Sequence, residues 1–572
     1  MTSAEIKESQ RTERAACLQA ILDSTEPKKL IIAGAGTGKT FTFREVLKPA
    51  VGGTNLVMTF IRKLVADMDK SMSDVAEVKT FHAYCKKILH EQNGRVELVA
   101  FLSQIVERDA VLLGQELADF DAKFRTLEEG PEIEFHLSRG DYYECVGFDD
   151  SVYRLYKALK SNAAILPEFD QILIDEFQDF NPLEVAFIHE VSKRGNVLIV
   201  GDDDQAVYDG RSSSPLHLRE LAKSADFRRF QLPFCSRCPQ VIVAATNALI
   251  EKAQQRGYFA GRIPKRYECY LEDKEADSER YPKIAFAQCT TASVVAKYIE
   301  KEISGIHAED IAESHKPGNE YPTVLVVGAK HYLREIEKHL KLIYEAYLSY
   351  SPSTNAEYRL SDAYELLLVN ERSNLGWRII AEFFLDENSL TDVIRASTAG
   401  VLMIDLLERG LVNSHLGVLD SIRKIREAAE LSAAEEDGIK SMFGESSEEV
   451  LNHFAPGAKQ EPHKIDVTKP TILLTSLRGC KGLSAGHVFI VGAHDGSLPR
   501  DSNDVQDVEI AQFIVALTRT RKQCHIISNR WLVAPVDRKG NFLTPNKPSR
   551  FISWIPKALI DNRGNFKASD FR

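Results

Sequence analysis

No apolar run in the 572-residue sequence is long enough to cross a bilayer. VLIV (197–200) and HVFIVG (487–492) are among the longest, far short of the ~20 residues that a spanning helix needs. The opening MTSAEIKESQRTER lacks the apolar core and cleavage site of a secretory leader, so no export and no membrane partner are expected. Cysteine is scarce, scattered and odd in number at nine. That excludes a disulfide framework in a chain of this size and favours a reducing, cytoplasmic setting. An excess of basic charge is also missing, since 72 Lys and Arg stand against 83 Asp and Glu, a net −11. A simple nucleic-acid coat would be basic overall, whereas a groove lined by basic groups within an acidic body remains open. No repeat of fixed period, low-complexity linker, His-Glu-x-x-His motif or restriction-type nuclease stretch occurs, so any nuclease is expected to be a separate partner.

What is present is ordinary globular composition, 44% hydrophobic and 27% charged. At about 100–200 residues per domain, this length predicts three or four domains. Short β-branched runs alternate with helical stretches, the pattern of parallel sheets covered by helices. The runs form two sets. KLIIA (29–33), NLVMTF (55–60), QILID (171–175) and NVLIV (196–200) make the first. KIAFA (283–287), TVLVV (323–327), TILLT (471–475), HVFIV (487–491) and QCHII (523–527) make the second. Two α/β lobes follow, interrupted by mainly helical stretches at 91–168 and 376–465.

The first strand runs into AGAGTGKT (Ala33–Thr40) and then into a helix that Pro49 closes. Small residues let the backbone N–H groups of Gly34, Ala35, Gly36, Thr37 and Gly38 wrap phosphates at a helix N-terminus. Lys39 supplies a point charge to the outer phosphates and Thr40 a hydroxyl for Mg²⁺. Ala33 stands where the strict motif has glycine. QILIDEFQDF (171–180) ends a buried strand in carboxylates. There Asp175 can hold the metal and Glu176 can orient or deprotonate the attacking water. In VLIVGDDDQAVYDGR (197–211) a third strand leads to Gln205, whose amide can touch a γ-phosphate with one end and signal with the other. The run Asp202, Asp203, Asp204 reads either as part of this site or as a solvated turn.

Together with MTFIRKLVADM (58–68), KTFHAYCKKIL (79–89), SRCPQVIVAATNALI (236–250), LLTSLRGCKGLSAGHVFIVG (473–492), IVALTRTRK (514–522) and PSRFI (548–552), these segments resemble the UvrD/Rep/PcrA-like helicases of superfamily 1. The resemblance implies two RecA-like parallel-sheet lobes with ATP between them, each carrying an inserted, mainly helical subdomain. The first lobe is then 1–90 with 169–280, interrupted at 91–168. The second is 281–375 with 466–572, interrupted by a short insertion at 376–465. It also implies an ATP- and Mg²⁺-dependent motor that moves 3′→5′ on single-stranded DNA and separates strands, in repair, replication or defence against foreign DNA. Single-stranded or tailed duplex DNA is the expected partner, together with a nuclease or a repair or defence protein. Arg237 and Arg519 align with the arginines that reach the γ-phosphate, and Gln10 or Glu13 with a glutamine upstream of the loop.

The strand track would use Phe60, Arg62, Lys63, Thr80, Phe81, His82, Tyr208 and Arg211, by phosphate contacts and base stacking. Core packing is an equal reading for Phe60 and Phe81. Several family positions depart. Asp209 and Gly210 replace a Gly-Trp pair, Ser236 a tyrosine, Arg478 a histidine and Ser484 an acid. Phe41 stands where an arginine usually covers adenine, and it is expected to take over one side of that stack. These changes leave a second reading open, a DNA-stimulated ATPase that senses DNA and licenses a partner without unwinding. WLVAPVDRKGNFL (531–543) reads as a hairpin, either a strand-separating pin with Trp531 and Phe542 or an ordinary surface turn. Cys235 and Cys238 form a lone pair whose expected role is packing.

Overall fold

The computed structural model describes residues 2–571 except 60–64, 66–71, 95, 209–211, 319, 345, 349–357, 445–446, 456–467 and 533–543. Two compact units emerge. One is Met1–Phe81 with Ala163–Ser351 and Asp466–Arg572, and the other is His82–Asn162 with Pro352–Ile465.

The first unit holds two parallel sheets. In chain order the strands of one are β1 (Lys28–Ala33), β2 (Asn55–Thr59), β3 (Glu77–Thr80), β4 (Phe169–Ile174), β5 (Gly195–Gly201) and β6 (Arg228–Leu232). They lie in the order β3-β2-β4-β5-β1-β6. The second sheet has β7 (Ile284–Cys289), β8 (Val324–Val327), β9 (Ala346–Leu348), β10 (Ile472–Thr475), β11 (Ala485–Val491), β12 (Thr520–Asn529) and β13 (Ile560–Phe566). Its order is β9-β10-β8-β11-β12-β7-β13. Central strands such as β11 are buried at every residue, which is why they read as continuous apolar runs. Strands β3, β6, β9 and β13 were not expected. RRFQL and IDNRGNF carry exposed polar residues on sheet edges and lack the apolar signal of buried strands.

Helices α1 (Ser3–Leu22), α2 (Lys39–Leu47) and α3 (Asp507–Leu517) matter most for the site. A capping box of Thr2 and Glu5 starts α1. Ile31, Phe43, Leu47, Val57 and Leu198 form a core against the first sheet. Another core cluster lies against the second sheet, where Ile242 and Leu249 of the helix Gln240–Gln255 pack among Val488, Ile514 and Phe551. Each fully buried side chain of this kind contributes about 1.5–3 kcal/mol.

The second unit is mainly helical and is built from both interruptions together. Phe148–Ser161 turns Val152, Leu155 and Leu159 to one buried stripe, at the helical period. Leu102–Leu112 and Pro131–Tyr143 come from the first interruption, and Asn374–Phe384 and Glu387–Ser397 from the second. They meet around Asp109, which is fully buried. Its carboxylate accepts from Arg139 Nη2 at 2.7 Å, Arg378 Nε at 2.8 Å and Tyr143 Oη at 2.6 Å. Arg139 also donates to Ser397 Oγ at 3.1 Å, and Arg378 to Glu382 at 2.7 Å. Asn374 closes the seam, donating to Tyr142 O and accepting from the Met403 N–H, each at 2.8 Å.

Candidate active site

The site lies at the carboxyl ends of β1, β4 and β5, where open parallel sheets bind ligands. Ala33 ends β1 in the core, and Gly34–Gly38 turn the chain into α2. Gly36 and Gly38 have φ of 69° and 90°, which only glycine adopts without strain. Thr37 Oγ1 donates to Gly34 O at 3.0 Å and tightens the loop. Behind it, Tyr267 Oη donates to Ala35 O at 3.0 Å, and the Ser236 N–H donates to Gly36 O at 2.9 Å. A Cβ on Gly34 would meet the Tyr267 ring at 2.7 Å, and one on Gly36 would meet Arg237 Cβ at 2.4 Å. Gly36→Ala therefore strains the backbone and displaces the loop. We expect at least a tenfold loss of affinity for a fluorescent ATP analogue, measured by titration at unchanged far-UV circular dichroism.

Asp175 and Glu176 follow β4, and both are buried. Glu176 has φ of 56°, a left-handed conformation uncommon outside glycine. Its Oε1 lies 3.3 Å from Lys39 Nζ, and its Oε2 accepts from Gln178 Nε2 at 2.6 Å and lies 3.4 Å from Lys481 Nζ. Burial favours the neutral form, but Lys39 and Lys481 outweigh it and hold Glu176 below the usual carboxylate range. Burial and the Glu176 charge push Asp175 the other way, to about 7. A base kept ionised beside Lys39 is what orienting a water at neutral pH requires.

The second sheet contributes from the opposite wall. Arg519, 3% exposed in the turn between α3 and β12, donates to Val515 O at 2.9 Å, Leu483 O at 3.2 Å and Gln205 Oε1 at 3.0 Å. The other end of the Gln205 amide donates to Asp202. Arg237 reaches Thr518 O at 3.5 Å. Lys481, not singled out from the sequence, pairs with Asp179 and donates to Gln205 O at 2.7 Å. Its signal was the Lys-Gly-Leu turn that follows β10. Gly36–Thr40, Asp175, Glu176, Gln205, Arg237 and Arg519 line one cleft of about 310 Å³. The Thr40 hydroxyl and the Asp175 carboxylate sit in it as hard oxygen donors, the chemistry that fits Mg²⁺.

The acidic run is no solvated turn. Asp202, Asp203 and Asp204 are at most 3% exposed. Lys265 Nζ lies 2.6, 3.0 and 2.7 Å from their carboxylates in turn, while Arg219 meets Asp203 and Arg262 meets Asp204. Three cations from later in the chain account for that burial, and the cluster fixes the loop that carries Gln205.

Other expected positions are dispersed. Gln10 donates to Cys269 O and accepts from the Leu271 N–H, both at 3.0 Å, so its amide fastens α1 to that segment. Glu13 pairs with Arg266. Phe41 is 54% exposed in the first turn of α2. Phe81 is corrected to a core residue, because its ring is fully buried, 5.2 Å from both Phe180 and Phe187, and has no face open to a base. Thr80 ends β3, and in the second unit His82 packs edge-on to Phe148. Tyr208 Oη lies 3.5 Å from Arg478 O, and its ring lines a separate cavity of about 370 Å³ with Pro215, Leu216 and Phe259. Phe60, Arg62, Lys63, Arg211 and Phe542 lie outside the described residues. Cys235 and Cys238 are buried beneath the phosphate loop, where the Cys235 sulfur accepts from the Cys238 N–H at 3.3 Å.

Residues 18–211 match the family described as an AAA domain. The chain is similar to DNA helicase II of Haemophilus influenzae, 24% identical over 93% of this chain and 85% of that protein. It is similar also to the ATP-dependent DNA helicase PcrA of Leuconostoc citreum, at 21% over 94% and 84%. The ATP-dependent DNA helicase UvrD1 of Mycobacterium tuberculosis is 23% identical over 95% and 85%.

Proposed function

We propose that the chain is a UvrD-like helicase of superfamily 1, a reading supported by its similarity over more than nine-tenths of its length to DNA helicase II, PcrA and UvrD1, and that it hydrolyses ATP to move 3′→5′ along single-stranded DNA and separate the strands of a tailed duplex. The observation that carries this reading is the Gln205–Arg519 hydrogen bond of 3.0 Å across the cleft. It joins a phosphate-facing residue of one sheet layer to an arginine of the other, so loss of the γ-phosphate has a direct route to the second lobe.

Lys39, Arg237 and Arg519 hold the outer phosphates, and the loop N–H groups hold the inner ones. Glu176, kept ionised, takes or orients the proton of the attacking water. Thr40 and Asp175 would hold Mg²⁺, which would supply positive charge to neutralise the phosphates. Phe41 offers an exposed ring to the base. Tyr208, with Thr80 and His82, serves the DNA track, as do Arg62, Lys63 and Arg211, and Tyr208 stacks on bases. Repair, replication or defence against foreign DNA is the setting, with a separate nuclease as a candidate partner.

The burial of Phe81 and the replacement of the tryptophan platform by Asp209 and Gly210 favour a second reading, an ATPase that senses DNA and licenses a partner. Displacement of fluorescent strands from 3′-tailed, 5′-tailed and blunt duplexes separates the two. The motor reading expects ATP-dependent release from the 3′-tailed duplex, abolished in Glu176→Gln. ATP turnover without release from any duplex would move the protein to the sensing class.

A further inference from the structure

Arg519 and Arg237 do not exhaust the arginines of the cleft. Arg521 lines it too, together with Gly36–Thr40. Its setting differs from that of its neighbours in sequence. Lys522, the next residue of β12, is enclosed by carboxylates of Asp277, Asp310 and Glu313 at 3.2, 3.0 and 2.7 Å. The guanidinium of Arg519 is held by four hydrogen bonds to protein acceptors, so that one of its five N–H groups is left for a phosphate. Arg521 has neither arrangement. Its Nε donates to Ser484 Oγ at 3.0 Å and its guanidinium lies 4.2 Å from the centre of the Tyr321 ring. Among the described residues no carboxylate pairs with it, and its two Nη groups have no protein acceptor. Ser484 stands where the resembling family carries an acid. Serine orients the guanidinium through one neutral hydrogen bond and does not pair with its charge.

We propose that Arg521 is a third arginine of the nucleotide cleft, binding the phosphate chain of the nucleoside triphosphate through its Nη fork. A guanidinium steadied on an aromatic face and by one hydroxyl, with two N–H edges unused, is pre-organised for a phosphate oxygen pair. Burial and the nearby Arg237 charge lower its pKa, and the weaker opposing pull of Glu313 does not reverse that direction. The inference rests on the assignment of the cleft to ATP and adds a residue to it.

The test is a cycle of Arg521→Gln, Ser484→Glu and their combination, read by steady-state ATP hydrolysis and by titration of ATP and ADP. Arg521→Gln is expected to raise KM for ATP by about tenfold to a hundredfold, the range for losing a charge-assisted hydrogen bond, with a smaller change in kcat. Ser484→Glu places a carboxylate against Arg521 and is expected to raise KM similarly. The double variant should be no worse than the single ones, because both remove the same interaction. Arg521→Lys should recover part of the affinity, which a packing role would not predict. A KM within about twofold of the unaltered protein in both single variants overturns the proposal. Absence of ATP binding or hydrolysis by the unaltered protein instead overturns the ATP assignment beneath it.

Discussion

Arg519→Ala is expected to lower ATP turnover by about a thousandfold or more, with a much smaller change in KM. An arginine that meets the γ-phosphate as charge develops contributes roughly 10³–10⁵ in rate in related phosphoryl-transfer sites. Geometry supports the upper part of that range. The guanidinium is buried and fixed by Val515, Leu483 and Gln205, so little reorganisation remains for the moment of reaction. The same substitution cuts the Gln205 link, which adds a loss of coupling to the loss of charge. Arg519→Lys keeps the charge but not the fork, and should retain more than the alanine variant while staying well below the unaltered enzyme. Single-turnover hydrolysis separates chemistry from product release. A fall of less than about tenfold in the single-turnover rate would remove Arg519 from the reacting phosphate.

Asp109→Ala is expected to destabilise the second unit by about 3–5 kcal/mol, the cost of breaking a buried ion pair by removing one partner. Arg378, fully buried, and Arg139, 4% exposed, would then face each other with no anion between them. Their own ties, to Glu382 and Ser397, do not replace it. Segments 102–112 and 374–384 should lose hydrogen-exchange protection together, because one carboxylate serves both. Protection lost in only one of them, or a cost below about 1 kcal/mol, would show that the two interruptions are held by apolar packing instead. Asp109→Asn should fall between, since it keeps part of the hydrogen bonding while removing the charge.

The contrast between these two regions explains what the sequence could convey. The phosphate loop, Asp175-Glu176 and Gln205 each sit in a short segment that carries its own chemistry, whereas Arg519 was legible only through the family resemblance, and strand ends place such segments side by side. The joining of the two interruptions was not legible, because Asp109 and Arg378 are 269 residues apart and neither lies in a motif. Asp202–Asp204 illustrate the same limit. An acidic run normally lies in solvent, and only Lys265, Arg262 and Arg219, brought in by the fold, reverse that. Phe81 was balanced between core and stacking because an aromatic opening a helix suits both, and Phe180 and Phe187 decide it. The edge strands went unseen for a related reason. Arg228–Leu232 pairs through its backbone to β1 while its side chains remain largely outside.

The most direct test of the central claim is steady-state ATP hydrolysis by the purified chain with and without single-stranded DNA, with Glu176→Gln as control. Turnover should rise at least tenfold with single-stranded DNA and be abolished in the glutamine variant. Turnover indifferent to DNA would contradict it, leaving a nucleotide hydrolase whose two lobes answer to some other ligand.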